Sequence, residues 1–166
     1  DGTGTFTLAE SDNTVRRLNR QDVPSGASFV DVNRDGFLDL WITQGGLGAP
    51  MQDRLYIGDG SGSFTDVTRD IGLKTENWID PEVMNAGLAH STAWSSAACD
   101  LNQDGRPDLL AGSYGRAPNH VWRSTEGENG LVFVNESVAS GYAYDDNQTW
   151  QDNEFAACYC RSNPNA

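Results

Sequence analysis

Short apolar runs separated by polar turns follow one another along this chain, and their order repeats. Phe29-Val30 precedes a polar loop, Leu38-Asp39-Leu40-Trp41-Ile42-Thr43 follows it, and Arg54-Leu55-Tyr56-Ile57 stands before an Asp-Gly turn. These runs are rich in β-branched and aromatic residues and are bounded by Gly and Pro, the pattern of short strands. Further on, residues 95–99, Asp108-Leu109-Leu110-Ala111 and His120-Val121-Trp122-Arg123 occupy the matching places. The Gly- and Pro-bearing stretches 45–50 and 112–118 read as loops between strands. Each unit therefore reads as a small antiparallel sheet, with Trp41, Tyr56 and Trp122 at strand positions that suit a core.

The polar loops are themselves a repeat. Asp31-Val32-Asn33-Arg34-Asp35-Gly36-Phe37-Leu38-Asp39 returns later in the chain as Asp100-Leu101-Asn102-Gln103-Asp104-Gly105-Arg106-Pro107-Asp108. A phenylalanine follows the first loop aspartate at the same interval in both units, Phe64 after Asp31 and Phe133 after Asp100, and closes a turn-rich hairpin signal. Asp1-Gly2-Thr3-Gly4-Thr5-Phe6-Thr7 has the same pattern as Asp59-Gly60-Ser61-Gly62-Ser63-Phe64-Thr65, so the chain is expected to open late in a preceding repeat. The organisation that follows is about two and a half repeats. Residues 1–24 end a preceding repeat, 25–93 form a full one with an insertion at 74–92, 94–150 form a second, and 151–166 begin a degenerate or truncated one. Residues 68–73 are expected to form a short helical turn.

Sheets of about four short strands, repeated at this interval, predict all-β architecture built from β-propeller blades. Propellers typically close with ~4–8 blades, so two blades imply a larger propeller or an assembly.

The loop chemistry points to a cation. Oxygen side chains at positions 1, 3 and 5, a turning Gly at 6, a carbonyl at 7 and an Asp at 9 can converge on a hard ion such as calcium. An EF-hand also opens this way, but it needs a bidentate acid at position 12 and flanking helices. Here position 12 is Ile42 or Ala111, and the flanks have strand character. The alternative is a pair of solvated Asx-type turns that need no metal.

With these features the sequence resembles the FG-GAP/VCBS (integrin-alpha-like) calcium-binding repeat family. Residues 58–68 and Asp70-Ile71-Gly72-Leu73 are also similar to secreted repeat proteins of the ASPIC and cartilage-acidic-protein group. The resemblance implies a propeller, extracellular placement and two calcium ions. The ligands it implies are Asp31, Asn33, Asp35, Asp39 and the Phe37 carbonyl, then Asp100, Asn102, Asp104, Asp108 and the Arg106 carbonyl.

Composition narrows the partners. A formal net charge of −13 and the single lysine Lys74 argue against a nucleic-acid backbone or an anionic membrane surface. Six of the 24 acidic residues lie in the loops, so two calcium ions would reduce the formal charge to −9. No apolar run approaches the ~20 residues that cross a bilayer, and a chain starting at Asp1 reads as a processed or truncated product. Cys99, Cys158 and Cys160 lack zinc-site spacing, and a bridge from Cys99 to either of the others is one expectation beside free thiols. Asn135-Glu136-Ser137 and Asn147-Gln148-Thr149 match the N-glycosylation pattern.

His90 and His120 stand in no zinc or nucleophile motif, and no nucleophile elbow or phosphate-cradling loop with Lys occurs. Tyr142, Tyr144 and Trp150, among acidic neighbours, read as blade edge or solvated loop before carbohydrate surface. The expected function is a secreted, non-catalytic calcium-binding module for adhesion, recognition or assembly. Its expected partners are an extracellular protein or glycan, or further copies of itself, with no nucleic acid and no membrane insertion. The alternatives are a non-catalytic or substrate-binding part of a polysaccharide-active enzyme and a structural subunit of an extracellular filament.

Overall fold

The computed structural model describes residues 3–16, 22–45, 51–77, 81–114, 117–128, 130–144 and 161. Two four-stranded antiparallel sheets follow one another in the chain, each a meander in sequence order. The first contains β1 (Pro24–Val30), β2 (Asp39–Gln44), β3 (Arg54–Gly58) and β4 (Phe64–Asp66). The second contains β5 (Ala93–Cys99), β6 (Asp108–Ser113), β7 (His120–Gly127) and β8 (Gly130–Asn135). A one-turn helix, α1 (Pro81–Asn85), lies between the sheets in sequence.

Alternation along the strands decides what each face meets. In the first sheet Leu40 pairs with Tyr56, and with Ile42 they form one apolar cluster, joined by Val15 and Phe64. Trp41 pairs with Leu55 on the opposite face, where both are fully buried against Leu109, Ala111, Trp122 and Phe133 of the second sheet. β2 is consequently buried along its whole length. The seam is also hydrogen-bonded, because the Trp41 Nε1 donates to the Leu110 carbonyl at 3.1 Å.

The first strands of the two sheets, β1 and β5, lie close together and carry small residues. The Ser28 and Ser96 hydroxyls bond at 2.8 Å. A Cβ placed on Gly26 would lie 2.7 Å from the Ser96 backbone nitrogen, so this approach requires glycine.

The repeat extends to the last strand of each sheet. Asp66 Oδ1 accepts from Thr68 N and Oγ1, and Asn135 Oδ1 accepts from Ser137 N and Oγ in the same way. The Thr68 and Ser137 hydroxyl oxygens then accept from Leu55 N and Val121 N, fastening the turn back onto β3 and β7. Hydrogen-bonded turns follow at 68–72 and 137–141. The first places Leu73 in the seam, with Phe133 N donating to the Ile71 carbonyl at 2.7 Å.

Residues 74–77 and 81–92 of the insertion form a flap. Glu76 and Ala89 form a parallel bridge around α1, and the Asn135 side-chain amide donates to the Gly87 carbonyl at 2.9 Å. The opening pattern around Phe6 differs from its later counterparts. Phe64 and Phe133 lie in strands, whereas residues 5–10 form none and Phe6 is 97% exposed, with no strand among the described residues to pair with. Of the expected repeat start at 151–166 only Arg161 is among the described residues; Cys158, Cys160 and the Asn147 sequon lie outside them.

One buried carboxyl gives a pH signature. Asp53 is fully enclosed, accepts from Gln44 N at 2.8 Å, and burial pushes its pKa up to about 8. A folded pKa above the unfolded 3.8 makes its contribution greatest below 3.8, and that contribution declines as pH rises toward 8. Asp53→Asn is expected to flatten this part of the stability curve. Urea midpoints near both ends of the window would check it, and parallel curves for the two proteins would refute it.

Candidate metal-binding loops

Each acidic loop joins the first and second strands of its sheet, and the two share a hydrogen-bond pattern almost atom for atom. Asp31 Oδ1 and Oδ2 accept from Asp35 N at 3.1 Å and Gly36 N at 3.0 Å. Asp100 accepts from Asp104 N at 3.1 Å and Gly105 N at 2.8 Å. Asn33 and Asn102 each accept from the amide of the next loop aspartate and donate to its carboxylate. Asp35 and Asp104 then cap Phe37 N and Arg106 N.

The tight turn has a backbone requirement at positions 4 and 6. Arg34 and Gln103 both adopt φ 61°, and Gly36 and Gly105 lie at 90° and 83°. Only glycine takes the last two conformations freely, while Arg and Gln accept strain that the side-chain bonds around them offset.

The closing residues behave differently from the rest. Asp39 and Asp108 are fully buried at the start of β2 and β6. Asp39 bridges the loop to β3 by accepting from Val32 N and Gly58 N, both at 2.9 Å. Asp108 accepts from Leu101 N at 3.0 Å and Ser124 N at 2.9 Å. Burial raises the Asp39 pKa; its two amide bonds oppose the rise, and the charges of Asp35 and Asp31 add to it. In the second loop the Asn102 amide holds the Asp104 carboxyl below its usual value.

Asp31, Asn33, Asp35, Phe37 and Asp39 all lie in the β1–β2 loop or at its end, and Asp100, Asn102, Asp104, Arg106 and Asp108 lie in the same places between β5 and β6. The loops are neighbours: a Cβ on Gly105 would lie 3.8 Å from the Arg34 Nη1. Among the described residues no three His, Cys, Asp or Glu side chains are gathered into a group that could hold a metal ion. The carboxylates face the loops' own amides, and an ion would have to draw them inward. The chemistry of the donors fits a hard cation, because every set is all oxygen and each Asp oxygen keeps a second lone pair beyond its N–H partner, except Asp108 Oδ1, which accepts from both Ser124 N and the Ser124 hydroxyl.

Other candidate groups have structural duties. The Asn135 amide is bonded to Gly87 O and Ser137 is fully buried, so this sequon is closed in the fold. Cys99 is an exposed free thiol at the end of β5. His90 Nδ1 pairs with the Thr75 hydroxyl, and burial lowers its pKa. His120 is buried beside Trp122, and burial lowers its pKa to about 4. The Tyr144 hydroxyl donates to the Met84 carbonyl of the flap.

Two successive four-stranded antiparallel sheets joined through such loops fit a propeller-type fold. Residues 31–111 match the family model of the FG-GAP-like repeat, and residues 92–134 match that of the FG-GAP repeat. These matches support assignment of the chain to an FG-GAP family, the part of the sequence resemblance that the loops and hairpins carry. No curated protein matches the chain.

Proposed function

We propose that this segment is a non-catalytic β-propeller recognition or adhesion module in which two calcium ions act as structural pins. The observation that carries the reading is the duplicated loop: two all-oxygen sets, at equivalent places in successive sheets, held by the same amide contacts. An ion in each loop would offset the crowding of Asp31, Asp35 and Asp39, or of Asp100, Asp104 and Asp108. Through the buried closing aspartate it would also fix the first three strands of the sheet.

Extracellular placement is part of the proposal, since such loops fill where calcium is abundant and FG-GAP repeats occur in extracellular proteins. Kinship with secreted ASPIC and cartilage-acidic-protein types rests on residues 58–68 and 70–73. The partner would be an extracellular protein or glycan, or another copy of the chain. Calorimetric titration should find two calcium ions per chain. Heatless titration of decalcified protein, with no change in its melting, would overturn the calcium reading.

A further inference from the structure

We infer that Trp94 and Tyr114 form a binding platform for a neutral pyranose sugar, at the end of the second sheet opposite its acidic loop. Their rings stack with centroids 5.0 Å apart and an interplanar angle of 18°, and each residue is 54% exposed. Both rings carry a polar group at the rim, the Trp94 indole N–H and the Tyr114 hydroxyl.

The backbone builds the platform through a register shift between Ala93 and Ser95, where β5 meets the end of β6. Such a bulge re-aims the side chain it carries. Tyr114 is fixed beside it by its own N–H, which donates to the Thr92 carbonyl at 2.9 Å. The first sheet has the same shift between Pro24 and Gly26. There the matching residues are Ser25 and Gly45, and the Ser25 hydroxyl turns inward onto the Thr43 and Ala93 carbonyls. A Cβ on Gly45 would meet the Ser25 Cβ at 2.7 Å, leaving no room for a ring. The fold therefore needs the bulge but not the aromatic pair.

The chemistry of the surroundings selects the occupant. Residues 91–96 and 111–114 carry hydroxyls, small side chains and the two rings, but no charge. A pyranose offers one face of weakly positive C–H bonds, which suits the negative face of an aromatic ring, and hydroxyls at its rim for the indole N–H and phenol. The net charge of −13 opposes an acidic polysaccharide, so a neutral sugar is preferred.

This inference rests on the recognition role proposed above, not on the calcium loops. Calorimetric titration with cellohexaose, chitohexaose and mannohexaose is expected to detect binding of at least one probe. Trp94→Ala should weaken it by about tenfold or more, as loss of a stacking surface does, with the melting temperature unchanged. Tyr114→Ala should weaken it as well. The platform is refuted if no probe binds at millimolar concentration or if Trp94→Ala binds as the parent does. It is equally refuted if the rings are covered by a second copy, seen as a doubled mass in solution that Trp94→Ala abolishes. Calcium-dependent melting without sugar binding would remove the platform and leave the calcium reading intact; sugar binding with melting indifferent to chelation would do the reverse.

Discussion

Chelation of calcium is expected to lower the melting temperature of this chain by roughly 10–20 °C. An ion that binds only the folded state stabilises it by ~2.7 kcal/mol when present at a hundred times its dissociation constant, so two sites supply about 5 kcal/mol. In a domain of this size each kcal/mol moves the midpoint by about 2–4 °C. The loops are suited to transmit that energy because Asp39 and Asp108 are bonded both within the loop and to the third strand. Asp35→Asn and Asp104→Asn separate this effect from ordinary turn formation. Each substitution keeps an oxygen for the Phe37 or Arg106 amide, gives up the exposed bond from the Asn33 or Asn102 side chain, and removes a charge that attracts the ion. The variants should melt close to the parent in chelator and well below it in calcium. A parent whose melting ignores chelator would leave the loops as Asx turns alone.

The loops and the strands were legible because both are local. An Asp-Asn-Asp-Gly series dictates its own hydrogen bonds, and alternation along Leu40, Trp41 and Ile42 follows from pleating. What escaped depends on contacts across the chain. The closed state of Asn135 comes from Gly87 and from the burial of Ser137, neither of which a three-residue pattern contains. Asp53 reads as loop chemistry until the fold encloses it. Trp94 and Tyr114 are well separated in sequence, and only the register shift in β5 makes them one surface. Phe6 shows the opposite failure: its local pattern matches Phe64, but a hairpin signal needs a partner strand to become a hairpin.

Trp41→Ala is expected to destabilise the fold by about 3–5 kcal/mol, the usual result of truncating a fully buried tryptophan. Its ring belongs to the apolar cluster that both sheets share, and its Nε1 supplies the bond to Leu110 across the seam. Removing it both opens a cavity and leaves the Leu110 carbonyl without that donor, which adds roughly 1 kcal/mol. Trp41→Phe fills part of the cavity without the N–H and should fall between the two. The location of the damage predicts more than its size. Leu40, Ile42 and Tyr56 pack on the other face of the same sheet and are untouched, so the first sheet keeps one of its clusters while losing its grip on the second. Urea unfolding followed by far-UV circular dichroism and by tryptophan fluorescence should coincide in the parent and separate in Trp41→Ala. Coincident transitions with a loss below about 1 kcal/mol would mean that the strand-to-strand contact of β1 and β5, not the Trp41 seam, holds the two sheets together.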